Sequence, residues 1–143
     1  MQYFQHFACN EFFPNCSQSD IGYCVSFRML DNLLNLLQVL DCFRSKLGFP
    51  IIITSTYRSY FHNKEVGGSP TSQHLTASAI DFSCPRFDFE GLCLQFEDFL
   101  KESAFKNLVG QVIFYHKRKF IHFGLRTPRH HFLNFLHYEQ GDN

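Results

Sequence analysis

Three side chains in this sequence have the chemistry to share one metal ion. His74 and Asp81 stand seven positions apart in SQHLTASAID, and His122 lies in a later apolar run, FIHFGL. Zinc accepts both imidazole nitrogen and carboxylate oxygen, and a catalytic site with three protein ligands keeps a fourth position open. Residues this far apart in the chain converge only through tertiary structure. The competing reading is a loop histidine, a strand-edge acid and a satisfied core histidine, and spacing alone does not separate the two. Arg58, in TYRS, offers a rigid fork of donors suited to a carboxylate or a polarised carbonyl oxygen, though a surface ion pair is its plainer role. Ser72, two residues before His74, could hydrogen-bond a substrate or simply cap a loop.

These residues need elements to hold them. From Ser26 to Leu47, Leu30, Leu33, Leu34, Leu37, Leu40, Phe43 and Leu47 recur at helical spacing, with Asp31, Asn32, Gln38, Asp41 and Arg44 on the other side. Gly48 and Pro50 stop that helix. The β-branched run Ile51–Thr54 predicts a short buried strand leading into Tyr57-Arg58-Ser59. The polar segment after it, with Gly67-Gly68-Ser69-Pro70, predicts loop, its two glycines allowing a turn no other residue tolerates. Residues 79–82 predict a strand with Ala79 and Asp81 on one face. Phe89, Leu92, Phe96, Phe99 and Leu100 predict a second amphipathic helix over 88–102. Residues 111–115 and 120–125 predict a hairpin in which Tyr115 faces Phe120 and Ile113 faces His122, so that Tyr115 and His122 share a face. Residues 1–25 read as an irregular arm with one helical turn near Cys9–Phe13, and 126–143 as a tail without assigned order. The whole predicts one α+β domain spanning 1–143, with a mainly antiparallel sheet and helices packed on it.

Composition narrows the function classes. Hydrophobic residues make up 45% of the 143, enough for a packed core, and 19 Phe with no Trp point to a Phe-rich one. Thirteen basic and thirteen acidic side chains cancel, which removes the global electrostatic case for nucleic-acid binding. The basic residues are uneven: from Lys106 onward six Lys or Arg meet only Glu139 and Asp142. There is no membrane-length apolar run and no basic-then-apolar leader at the start, so the reading is synthesis in the cytoplasm without a signal peptide. The six cysteines then read as free thiols, several core-like, and none forms a CxxC pair that would suggest a cysteine zinc site.

The central stretch TSTYRSYFHNKEVGGSPTSQHLTASAID resembles the signature of zinc D-Ala-D-Ala carboxypeptidases and endopeptidases of the hedgehog/DD-peptidase fold, and most of all their phage and prophage members. The shared features are a strand ending in YRS, an HN-x-x-VGG loop, SxHLxxxAxD and a later strand carrying FIH, over roughly residues 30–125. The resemblance implies a zinc site of His74, Asp81 and His122, a substrate-facing Arg58, a substrate or loop role for Ser72, and a bacterial peptidoglycan peptide as partner. Zinc in such a site lowers the pKa of water to about 7 and polarises a carbonyl. Action at the cell wall would then follow lysis or delivery in a particle.

The departures bear on turnover. Ala77 replaces a usual glycine. Family members place a Glu or Asp three residues before the second histidine, or on the preceding strand; here those positions are Lys119 and Tyr115, and no acid occurs between Glu102 and Glu139. Proton transfer could fall to His116 or Tyr115, or to a distant acid such as Glu139. Otherwise the chain is a non-catalytic, zinc-containing peptidoglycan-binding or structural domain. The remaining histidines, His6, His62, His130, His131 and His137, show no partner pattern and read as surface or packing residues.

Overall fold

The computed structural model describes residues 4–16 and 25–139, so the expectations for 1–3, for 17–24 and for the last four residues of the tail lie outside the described residues. The long helix α1 runs Phe27–Leu47. Ser26 starts it, its hydroxyl accepting from the Met29 backbone N–H, and Gly48 ends it in the left-handed conformation at φ 78°. Leu33, Leu36, Leu37, Leu40 and Phe43 are fully buried along its inner face. Asp41 departs from the expected solvent-facing side. It is buried, and its carboxylate accepts from the Gln5 and His6 backbone N–H groups at 2.9 and 2.8 Å. The N-terminal arm is therefore pinned to α1, with Phe4, Phe7 and Phe12 in the core and a 3-10 turn at Cys9–Glu11.

Among the described residues five strands form one sheet: β1 Ile52–Ser55, β2 Ala79–Ser83, β3 Val109–Tyr115, β4 Phe120–Leu125 and β5 Asn134–Tyr138. Their spatial order is β1-β2-β4-β3-β5. Every pairing is antiparallel except β3 with β5, so the α+β, mainly antiparallel expectation holds. The hairpin has the expected register, with Tyr115 opposite Phe120 and Ile113 opposite His122. Three local expectations change. β1 is an edge strand rather than a buried one, because Ile53 enters the core while Ile52 is half exposed. A six-residue helix, α2 (Tyr60–Glu65), stands where loop was expected; Ser59 caps it by accepting from His62 N–H, and it is too short to show a period. The tail is ordered into β5 by pairing with β3, a contact no local pattern announces.

Strand alternation gives the sheet two unlike faces. Ile80, Phe82, Val112, Phe114, Ile121 and Phe123 point to one face and are almost wholly buried under α1 and under α3 (Phe89–Glu102). Phe43, Phe82 and Phe123 surround Phe96 there, with ring centroids 4.9–5.3 Å from it, edge to face. Gln111, Ile113 and Tyr115 of β3, Asp81 and Ser83 of β2 and His122 of β4 line a cleft on the other face. Among the described residues no helix is long and apolar enough to cross a membrane.

Candidate metal centre

Asp81 on β2 lies directly opposite His122 on β4, which places the two side chains together on the cleft face. The third residue arrives from outside the sheet. A 3-10 turn, Gln73–Thr76, carries His74, and the Ser72 hydroxyl starts it by accepting from the His74 N–H. Ala77 closes the turn at φ 53°, a left-handed backbone that explains why glycine suits this position. Gln73 anchors the turn over β4 by donating to the Leu125 carbonyl at 3.1 Å, in space left by Gly124.

His74 is held twice by the segment that leaves β1. Its Nδ1 donates to the Thr56 carbonyl at 2.6 Å, and its own carbonyl accepts from the Arg58 N–H at 2.9 Å. With Nδ1 so occupied, Nε2 faces Asp81 Oδ1 at 3.1 Å; His122 Nδ1 faces the same oxygen at 2.8 Å. This second contact on the far ring nitrogen is how proteins orient a metal-ligating imidazole. The ligand atoms of the three residues all lie within 4.8 Å of one another. His74 and Asp81 are buried. Burial by itself would raise the Asp81 carboxyl's pKa, but the charge of His74 and the hydrogen bond from His122 outweigh it and hold the group well below the usual carboxylate range. A carboxylate held in its ionised form and flanked by two imidazole nitrogens fits a borderline divalent cation such as zinc.

Arg58 stands beside this cluster. Its Nη1 donates to Asn63 Oδ1 at 3.0 Å and its Nη2 reaches Ser55 Oγ at 3.5 Å. Asn63, on α2, is buried and turns its amide nitrogen to the Ser69 carbonyl at 2.9 Å. The two glycines that follow have different reasons. Gly67 sits at φ 71° with open space around it, whereas Gly68 leaves room for Asn63 Oδ1 and Arg58 Nη1. The cleft has a volume of about 840 Å³. Arg58, Arg118, Lys119 and Arg129 stand along it, and Asp81 is its one carboxylate among the described residues.

The sequence candidates separate accordingly. His74, Asp81 and His122 come together, and Arg58, Ser72 and Tyr115 line the same cleft, Tyr115 stacked on Phe120 at 4.3 Å. His116 does not join them: one step further along β3, it turns to the opposite face and pairs with Glu90 at 2.9 Å. Glu139 lies beside His116, not in the cleft. His130, read as a packing residue, instead lines the cleft. Burial first, then the charges of Arg129 and His122, lower its pKa. Its position in a loop after β4 carries no periodic signal.

A helix-backed sheet whose other face presents a His–Asp–His donor set able to hold one metal ion defines a class, the α+β proteins with a candidate single-metal centre. Within that class the family is known: the profile of Peptidase M15 matches residues 5–124, and the chain belongs to that family. The family is zinc-dependent, and its members are hydrolases. Comparison with curated proteins finds no match.

Proposed function

We propose that this chain is a zinc-dependent peptidase that hydrolyses peptidoglycan stem peptides or their cross-links, as a carboxypeptidase or an endopeptidase. The observation that carries the reading is the His74–Asp81–His122 set, its first two members buried, beside Arg58 in a cleft whose other formal charges are basic. Zinc, when held by these three residues, supplies Lewis acidity toward a carbonyl oxygen and toward water. Arg58, fixed by Asn63, binds a carboxylate or the oxygen that gains charge as the peptide bond is attacked. Thr56 keeps His74 in the tautomer that directs Nε2 to the site. With no second carboxylate in the cleft among the described residues, the Tyr115 hydroxyl, His130 and His62 are the candidates there for proton transfer. Burial, with the charges of Arg129 and His122, lowers the His130 pKa and so favours its neutral, proton-accepting form.

That same missing carboxylate favours a second reading, in which the domain binds zinc and wall peptide without turnover. The two readings part in one experiment. Purified protein should hold zinc in the His74 site, and His74→Ala or His122→Ala should abolish that binding. Release of D-Ala or of cleaved cross-links from purified cell wall then marks the peptidase. Zinc-loaded protein that binds wall and releases nothing marks the binder, and a chain whose zinc content ignores both substitutions overturns the site itself.

A further inference from the structure

On the helix-backed face, at the far end of the sheet, four side chains converge that take no part in the cleft. His116 follows the last residue of β3, His137 and Glu139 lie at the end of β5, and Glu90 is in the first turn of α3. The parallel register sets Phe114 beside His137 and Tyr115 beside Tyr138, and the His116 N–H donates to the Tyr138 carbonyl at 2.9 Å. His116 and Glu139 are therefore neighbours on the same face as His137. The His116 ring is largely buried edge-on against Phe89, and the His137 ring lies against Phe114 at 4.8 Å.

The donors stand in a chain of close contacts centred on His116. His116 Nδ1 lies 2.9 Å from Glu90 Oε1, so it donates there and leaves Nε2 directed away from α3. That Nε2 lies 2.8 Å from His137 Nδ1 and 3.8 Å from Glu139 Oε1. At most one proton fits between the two facing ring nitrogens, so at least one of them presents a lone pair to the shared space. A carboxylate on the outer nitrogen of an imidazole is the arrangement that orients metal-ligating histidines. The set is more open than the cleft site, whose ligand atoms all lie within 4.8 Å of one another.

We propose that His116, His137 and Glu139 form a second metal site, distinct from the cleft, with Glu90 as its outer partner. Two imidazoles and one carboxylate select a borderline transition cation, Zn2+, Ni2+ or Cu2+, over Ca2+ or Mg2+. The site is looser than the first: Glu139 is exposed and must swing inward, and water completes the shell. It therefore binds more weakly and empties first on dialysis. Filled, it clips β5 to β3.

The test is zinc stoichiometry on the full chain, by titration calorimetry and elemental analysis after equilibrium dialysis against defined free Zn2+. Wild type should take up two ions of unequal affinity. His137→Ala and Glu139→Gln, both at exposed positions, should remove or weaken at least tenfold the weaker ion and leave the tighter one. His74→Ala should do the reverse, and Cu2+ added to it should give an electron paramagnetic resonance spectrum with nitrogen coupling that His137→Ala then erases. Zinc uptake unchanged by His137→Ala in both backgrounds overturns the proposal. Loss of one ion by His137→Ala from a protein that binds only one would sustain it while refuting the cleft site.

Discussion

Gly68→Ala isolates the connection between the glycine loop and Arg58. A Cβ built on Gly68 would lie 2.8 Å from Arg58 Nη1 and closer still to Asn63 Oδ1. Neither neighbour yields cheaply, because Asn63 is buried with its amide nitrogen committed to Ser69. The way out is to break the Arg58–Asn63 hydrogen bond, and a bond to a charged group is worth about 1.5–3 kcal/mol. Residual crowding costs about 1–3 kcal/mol in packed sites, but here it is relieved by that same break, so the two do not add. The expected loss is about 2–3 kcal/mol in urea unfolding, accompanied by weaker binding of N-acetyl-D-Ala-D-Ala and an unchanged zinc content. Gly67→Ala is the control: it meets nothing within 4 Å and bears only its left-handed φ, about 1 kcal/mol, with Arg58 undisturbed. A Gly68→Ala protein as stable as wild type, or a Gly67→Ala protein equally impaired in peptide binding, would refute the reasoning.

Asp41→Ala should cost about 3 kcal/mol, since it strips the acceptor from two backbone N–H groups, and should speed amide exchange over residues 4–12 selectively. Uniform exchange across the chain would mean that the arm is held by its phenylalanines alone. Cys93 should resist thiol labelling in the native state while exposed Cys9 reacts, because burial first, and then Glu90, push the Cys93 thiol up to about 12. A folded pKa above the ordinary 9.0 favours the native state fully below pH 9 and is lost as pH rises from 9 through 12. Urea midpoints across that range should fall in wild type and fall less in Cys93→Ala.

The parts of the fold that could be read in the sequence are those whose signal is local. Helix α1 announces itself because its leucines repeat at 3.6 residues between a serine cap and a glycine stop. The hairpin does so because two apolar runs flank the four polar residues His116–Lys119, which sets their register. Asp41 misleads for the opposite reason: its partners are backbone groups 35 and 36 residues away, so helical phase predicts solvent where the fold supplies two donors. β5 has no identity until β3 stands beside it. In the site, the His74–Asp81 spacing was weak alone and became specific through the YRS, VGG and FIH motifs around it. His130 escaped notice because a loop return, not a pattern, brings it to the cleft. His116 and Tyr115 are neighbours in sequence, but adjacent residues on a strand face opposite ways, so only Tyr115 reaches the cleft.

The direct opposition of Asp81 and His122 has a consequence for how the gene can change length. Each contributes one ligand from a strand whose flanking residues, Ile80, Phe82, Ile121 and Phe123, are core. An insertion of one residue within β2 or β4 would exchange the faces, sending ligands into the Phe cluster and phenylalanines into the cleft. Insertions between the strands leave both untouched, since only the pairing register enters. Deletion scanning should therefore find a chain tolerant in its connections and intolerant, for metal binding and folding alike, within a few residues of each ligand.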